Sequence, residues 1–207
     1  IEDKIMVGAS ILDINLSNFA KKNRIIGFEF YTGIPGTIGG AIKMNAGCFG
    51  SQTSDLLQEV SIINSNNIIS KKSYNDLDMK YRSTNISDSD IITSAIFSLK
   101  YGNIDNIEKK INFIKDQRLI KQPIKEKTSG STFKNPPNYF AAKLIDQSDC
   151  KNLSFGDAII SSQHSNFLIN KGNATAKNLE DLGNKIIEKV FDKFHIKLEW
   201  EIKIIGV

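Results

Sequence analysis

The chain has 207 residues, 40% apolar and 24% charged, with a formal net charge of +4; that is enough chain for one large domain or two small ones. The mild charge, with no concentrated basic run, argues against nucleic acid as a partner, and no apolar run is long enough for a membrane span or shaped like a signal peptide. Cys48 and Cys150 stand far apart without a C-x-x-C, which argues against a disulfide framework and fits a cytoplasmic setting.

In chain order, Ile5–Ala9 reads as a short buried strand. Leu12, Leu16, Phe19 and Ala20 then recur at helical spacing, predicting a helix over about 13–23 with Gly27 placed to stop it. Phe28-Glu29-Phe30-Tyr31 leads into Gly33-Ile34-Pro35-Gly36-Thr37-Ile38-Gly39-Gly40, which runs on through Met44-Asn45-Ala46-Gly47-Cys48-Phe49-Gly50. Glycine lets another group approach the backbone closely, so a loop this rich in it can present bare N–H groups to a ligand, or form a tight, buried turn with no ligand. Its apolar Ile34, Ile38, Ala41 and Ile42 predict a loop packed inside the protein. The spacing is not that of a dinucleotide fingerprint, whose first gap is one residue, nor of a P-loop, which ends in G-K-[ST].

Residues 59–63 and 68–70 read as strands across a polar turn, and Ile91–Tyr101 alternates as a strand with one richer face. Ile104, Ile107, Ile111 and Ile114 predict an amphipathic helix to about Lys121. A domain boundary is expected at Gly102, giving domains 1–102 and 103–207. A short helix follows Phe140, then strands around Ala158–Ile160 and Phe167–Ile169. Thr175 caps a last helix with a stripe of Leu179, Leu182, Ile186, Val190 and Phe194, with His195 near its end. A strand over Leu198–Ile205 closes the chain. The mixed order, without strict β-α-β alternation, predicts the α+β class.

Three segments besides the glycine loop could carry chemistry. In Tyr81-Arg82-Ser83, an arginine beside an aromatic could grip a carboxylate with two parallel bonds or simply pair with a surface acid. In Gly130-Ser131-Thr132-Phe133-Lys134-Asn135-Pro136, a serine in a rigid turn can project its hydroxyl into a site, or bond its own backbone. In Leu198-Glu199-Trp200-Glu201-Ile202, alternation puts Glu199 and Glu201 on one side, where the acid between Trp200 and Ile202 could be partly desolvated and kept protonated, or both could be ordinary carboxylates on a solvent-facing edge. His164 and His195 are too isolated for a metal site, and no zinc spacing is present.

The string G-I-P-G-T-I-G-G-A-I-K-M-N-A-G-C-F-G closely resembles the flavin-dependent UDP-N-acetylenolpyruvoylglucosamine reductases of bacterial cell-wall synthesis (MurB). Y-R-x-S, G-S-x-F-K-N-P and a final E-I-x-x-I-G resemble that family's further motifs, in the same order and across essentially the whole chain. The resemblance implies the second lobe of a two-lobed FAD-binding domain followed by an α+β substrate-binding domain, with FAD and NADPH as cofactors and a UDP-sugar enolpyruvate as substrate. It sets Gly33, Ile34, Pro35, Gly36, Thr37, Gly39, Gly40, Asn45 and Gly47 against FAD. It makes Arg82, Ser131 and Glu201 catalytic: Arg82 polarises the substrate carboxylate, Ser131 donates the proton, and Glu201 is the last catalytic glutamate. Tyr81, Arg118, Lys121, Lys134, Asn135 and His164 would contact substrate.

Two departures stand out. Trp200 occupies a place where the family usually has proline, and Ser148-Asp149-Cys150-Lys151-Asn152 replaces a commoner A-G-L-K-G turn. The family also begins with a further FAD-binding portion, including a G-S-N phosphate loop, ahead of the position matched by Ile1. On that expectation the first FAD lobe would be a partner of this chain, and a truncated, non-catalytic remnant is the alternative to the reductase. A third reading is another flavoenzyme, such as an oxidase, on the same architecture.

Overall fold

A computed structural model describes residues 3–206. The first two residues of the opening stretch lie outside them. The chain forms two compact units, Ile1–Asp116 and Gln117–Val207.

The first unit is built on an antiparallel sheet of β1 (Lys4–Gly8), β4 (Leu57–Ile63), β5 (Ile69–Ser73) and β6 (Ile91–Ser98), in the order β1-β6-β4-β5. Ile5 pairs with Phe97, Val60 with Ala95, and Ile63 with Ile69. One face is buried, with Val7, Val60, Ile62, Ala95 and Phe97 in the core, whereas Met6, Ile69 and Ile91 look outward. That is the alternation expected of an antiparallel sheet covered on one side. The residues ahead of the glycine loop form the centre of this core: Phe28, Phe30 and Tyr31 are fully buried, and the last two rings stack at 4.1 Å.

Helix α1 (Asp13–Lys22) forms where helical spacing predicts one, but rotated. It buries Asp13, Leu16, Ser17 and Ala20, while Leu12 and Phe19 are exposed. Gly27 does not stop it. Asn23 is the C-cap, its Nδ2 donating to the Phe19 carbonyl, and Arg24 takes the left-handed conformation. Gly27, also at positive φ, instead makes the next turn, its N–H donating to the Glu29 carboxylate at 3.0 Å. Helix α2 (Ile38–Lys43) and the two-residue strands β2 (Gly47–Cys48) and β3 (Ser51–Gln52) carry the glycine stretch.

Helix α3 spans Ile104–Lys121 and buries Ile107, Ile111 and Ile114. The division between units falls inside it, at Asp116, not ahead of it at Gly102. Its first turns are tied to the first unit: Lys110 pairs with Glu29 at 3.4 Å, Lys21 with Glu108 at 3.5 Å, and Phe113 packs edge-on against Phe49.

The second unit packs α4 (Ala141–Gln147) and α5 (Ala176–Phe194) with an antiparallel sheet of β7 (Ser154–Phe155), β8 (Ala158–Ile160) and β9 (Leu168–Asn170). Its core is separate and includes Phe133, Leu144, Ile145, Leu168, Leu182, Ile186 and Val190. His195 is the C-cap of α5, in the left-handed conformation with its N–H on the Phe191 carbonyl. The turn at Ser148–Asn152 contains a left-handed residue, Asp149.

The expected closing strand over Leu198–Ile205 is not a strand. Its backbone makes one bridge, Phe133 to Trp200, flanked by Lys134 N–H to Glu199 O (2.9 Å) and Glu201 N–H to Thr132 O (2.8 Å). The partner segment lies between Gly130, at positive φ, and Pro136, which has no N–H to donate, so the pairing cannot extend.

Candidate active site

The glycine loop is held by backbone bonds to the stretch before α1. Gly39 N–H donates to Ala9 O, Ile38 N–H to Ile11 O, and Asp13 N–H to Gly36 O, all within 3.0 Å. The loop is only partly inside the protein. Ile38, Ala41 and Ile42 are buried, whereas Pro35, Gly36 and Gly40 face outward. Three of the loop's glycines, Gly36, Gly39 and Gly47, answer to the protein's own packing. A methyl on Gly39 would press on Ala9 at 3.1 Å, and one on Gly47 would reach the Ser51 carbonyl at 2.5 Å. Gly40 would meet only the Thr37 hydroxyl, at 3.7 Å. Behind Gly36 lies the Asp13 carboxyl, 3.0 Å from a methyl placed there. Asp13 is fully buried, neither oxygen has a hydrogen-bond partner, and burial pushes its pKa up to about 7. Bare backbone at outward-facing Gly40 fits a cofactor lying along this loop.

The loop's second half builds the seat of Arg82. Asn45 is buried and its amide is spent within the protein: Oδ1 accepts from Ser54 N–H at 3.0 Å, and Nδ2 donates to the Lys80 carbonyl at 3.0 Å. That second bond ties the loop to a tight turn in which Lys80 and Ser83 exchange backbone bonds, with Tyr81 and Arg82 at its tip. Arg82 takes a left-handed φ of 53°, a conformation that costs a non-glycine residue about 1 kcal/mol and recurs at functional sites. Its Nη2 donates to the Gly47 carbonyl at 2.8 Å, and the guanidinium lies 4.9 Å from the Tyr81 ring centre. It opens onto a cleft of ≈310 Å³ that Cys48, Gln52 and Asp55 also line. A planar guanidinium is the side chain whose fork of donors matches a carboxylate or a phosphate.

Arg118, Lys121, Ser131, Lys134, Asn135, His164 and Glu201 all belong to the second unit. Ser131 bridges Phe167, and Thr132 N–H donates to the Asn166 carbonyl at 2.8 Å. On the other side of this segment, Thr132 O accepts from Glu201 N–H, so the backbones that carry Ser131 and Glu201 are neighbours. Lys134 pairs with the exposed Glu199 at 3.5 Å. His164 packs edge-on against Phe167 at 4.7 Å, and its Nδ1 accepts from Asn166 N–H. Desolvation lowers its pKa, which favours the neutral ring, and in that form the accepting Nδ1 leaves the proton on Nε2. Arg118 donates to Gln122, and Lys121 stands exposed at the end of α3. Asn135 uses Oδ1 to accept Ala141 N–H at 2.9 Å, at the start of α4.

Sequence reasoning passed over the residues that hold these groups. Asn166 makes two bonds to the Phe133 backbone, Oδ1 to its N–H and Nδ2 to its O, at 2.9 and 2.8 Å. Gln163 Nε2 donates to the carbonyls of Leu119 and Ile120 and so fixes the helix end that bears Arg118 and Lys121. Both are polar residues in a loop, and nothing in their spacing marks them. Asp13 was legible only as the start of a helix.

Comparison with known proteins follows the same division. Residues 2–70 match the model of an FAD binding domain, and residues 122–205 that of the UDP-N-acetylenolpyruvoylglucosamine reductase C-terminal domain. The chain is 44% identical over 206 residues to the UDP-N-acetylenolpyruvoylglucosamine reductase of Rickettsia massiliae (strain Mtu5), covering 100% of this chain and 70% of that protein. It is 45% identical over 202 residues to the reductase of Rickettsia bellii (strain RML369-C), covering 98% of this chain and 67% of that one. The crystal structure of the reductase (MurB) from Thermus caldophilus superposes with a TM-score of 0.86 at 32% identity, over 98% of this chain and 73% of that one. The exposed glycine loop thus falls within a flavin-binding domain and the Ser131 segment within the reductase's own C-terminal domain: the chain belongs to the UDP-N-acetylenolpyruvoylglucosamine reductases, a family of oxidoreductases.

Proposed function

We propose that the chain works as an NADPH-dependent reductase that converts UDP-N-acetylglucosamine enolpyruvate to UDP-N-acetylmuramate, a peptidoglycan precursor, in the cytoplasm. FAD, when bound, supplies the hydride chemistry between NADPH and the vinyl carbon of the substrate. The backbone from Gly33 to Gly40 holds that cofactor, and Asn45 and Gly47 keep the loop's second half in place. Arg82 receives the substrate carboxylate, where charge builds as the vinyl carbon is reduced, and Glu201 helps stabilise it. Preorganised groups are worth most where charge develops. Ser131 then delivers a proton to the adjacent carbon. Arg118, Lys121 and Lys134 offer positive charge to the diphosphate, while Tyr81, Asn135 and neutral His164 complete the substrate contacts.

The observation that carries this reading is the seat of Arg82. Its guanidinium is bonded to the Gly47 carbonyl, so the anion-binding group and the cofactor loop form one structure. Ser131→Ala is the test. In that variant NADPH should bleach the flavin band at the wild-type rate. Return of the band on adding the sugar nucleotide should slow by about a hundredfold or more, the loss typical of a missing proton donor. A wild-type rate of return would remove Ser131 from the reaction.

A further inference from the structure

Trp200 is the one tryptophan in the sequence, and it stands where the family resemblance leads one to expect proline. Its ring packs against Phe133 with centroids 4.9 Å apart. On its other side it fills a notch in α5. A methyl added to Gly183 would lie 1.9 Å from Cη2 of the indole, and 2.7 and 2.9 Å from two more of its carbons. Gly183 is buried within the 19-residue α5, a place where glycine is otherwise among the poorest choices. The notch explains why it is there. The backbone of Trp200 is the bridge partner of Phe133, and the two flanking bonds join Glu199 to Lys134 and Glu201 to Thr132.

We infer that Trp200 is a positioning residue: the indole, seated in the Gly183 notch and laid against Phe133, holds the backbone of Glu201 in register on the segment that carries Ser131. This rests on the roles proposed above for Ser131 and Glu201. The pairing is a single bridge, too short to fix its own register, so a side-chain anchor at its centre decides where Glu201 sits. Proline would fix the same backbone through its ring; here packing does it. Misplacing a reacting group by about an ångström can cost up to about a hundredfold in rate.

The test is a size swap in the holoenzyme. Gly183→Ala drives a methyl into the indole. Trp200 emission should shift to the red, and return of the flavin band with the sugar nucleotide should slow by about tenfold or more. Bleaching by NADPH should stay at the wild-type rate, and KM for the sugar nucleotide should change far less than kcat. Adding Trp200→Phe, which removes the clashing carbons, should restore most of the lost rate. Unshifted emission with a wild-type rate overturns the inference, as does an equal loss in both half-reactions that Trp200→Phe does not repair. If Gly183→Ala does not fold, Trp200→Phe alone decides: it leaves the notch empty and must slow only the sugar-nucleotide step, and a wild-type rate there overturns the inference. Ser131→Ala measured alongside keeps the two readings apart. A slow Ser131→Ala beside a normal Gly183→Ala removes the role of Trp200 alone, whereas a normal Ser131→Ala removes the reading on which it rests.

Discussion

At the scale of single residues, Asp13 carries a cost that depends on pH. Its carboxyl is fully buried behind Gly36 without a partner, and the hydroxyls of Ser17, one turn along α1, and of Thr32 are also buried and unpartnered. Desolvation disfavours the charged form, which raises the pKa from 3.8 to about 7. The folded state therefore holds this proton more tightly than the unfolded chain does. Below pH 3.8 both states are protonated and the group costs nothing through ionisation. As pH rises towards 7 the unfolded chain ionises first, and stability falls. Above pH 7 the loss is complete, at most about 4 kcal/mol for a shift of this size. Asp13→Asn keeps the shape and removes the ionisation. Its advantage over the wild type in urea unfolding should grow between pH 5 and pH 8, and parallel curves over that range would show that Asp13 does not titrate in the fold. No pattern in the sequence announced this, because Leu12, Leu16, Phe19 and Ala20 offer a plausible apolar stripe. The helix is instead turned so that Asp13 and Ser17 face inward, with Leu12 and Phe19 exposed.

At the scale of elements, what was legible followed from periodicity. Ile107, Ile111 and Ile114 of α3 and the stripe of α5 recur every three or four residues and state their buried faces outright. Thr175 caps α5 as its residue type suggests, in a reciprocal box: its hydroxyl accepts Asn178 N–H at 3.1 Å and Asn178 Oδ1 accepts Thr175 N–H at 3.0 Å. Thr175→Ala should cost about 1 kcal/mol in urea unfolding, the usual value of such a cap. An unchanged midpoint would mean that packing alone starts the helix. Elements whose existence depends on a distant partner were harder to read. Residues 198–205 alternate like a strand, but Gly130 and Pro136 bound the segment available for pairing and leave a single bridge. Similarly, the turn at Asp149 lacks the glycine of the family's commoner pattern and takes the left-handed conformation, a region that aspartate tolerates better than most residues.

At the scale of the whole molecule, each unit has its own core, and the proposed functions divide along the same line. The glycine loop and Arg82 belong to the first unit, and Ser131 and Glu201 to the second. The family motifs that made the site legible record residue types, so they point to Arg82 and Ser131 directly. They are silent on Asn166, Gln163 and Gly183, which act through backbone bonds and space. The loop is already held by bonds to Ala9, Ile11 and Asp13, so FAD would meet a preformed surface and spend little of its binding energy on ordering it. Ligand bound at one hundred times its dissociation constant suppresses opening of its site by about a hundredfold. Hydrogen exchange with saturating FAD should therefore slow by up to about that factor across residues 33–47. The effect should be clearest at Gly40, whose N–H has only a 3.4 Å contact with the Thr37 hydroxyl and faces outward. The amides of Ile38 and Gly39, already bonded at 2.9 Å to the stretch before α1, should change least. Exchange at Gly40 that FAD leaves untouched would take the cofactor off this loop, whatever the remainder of the chain does with it.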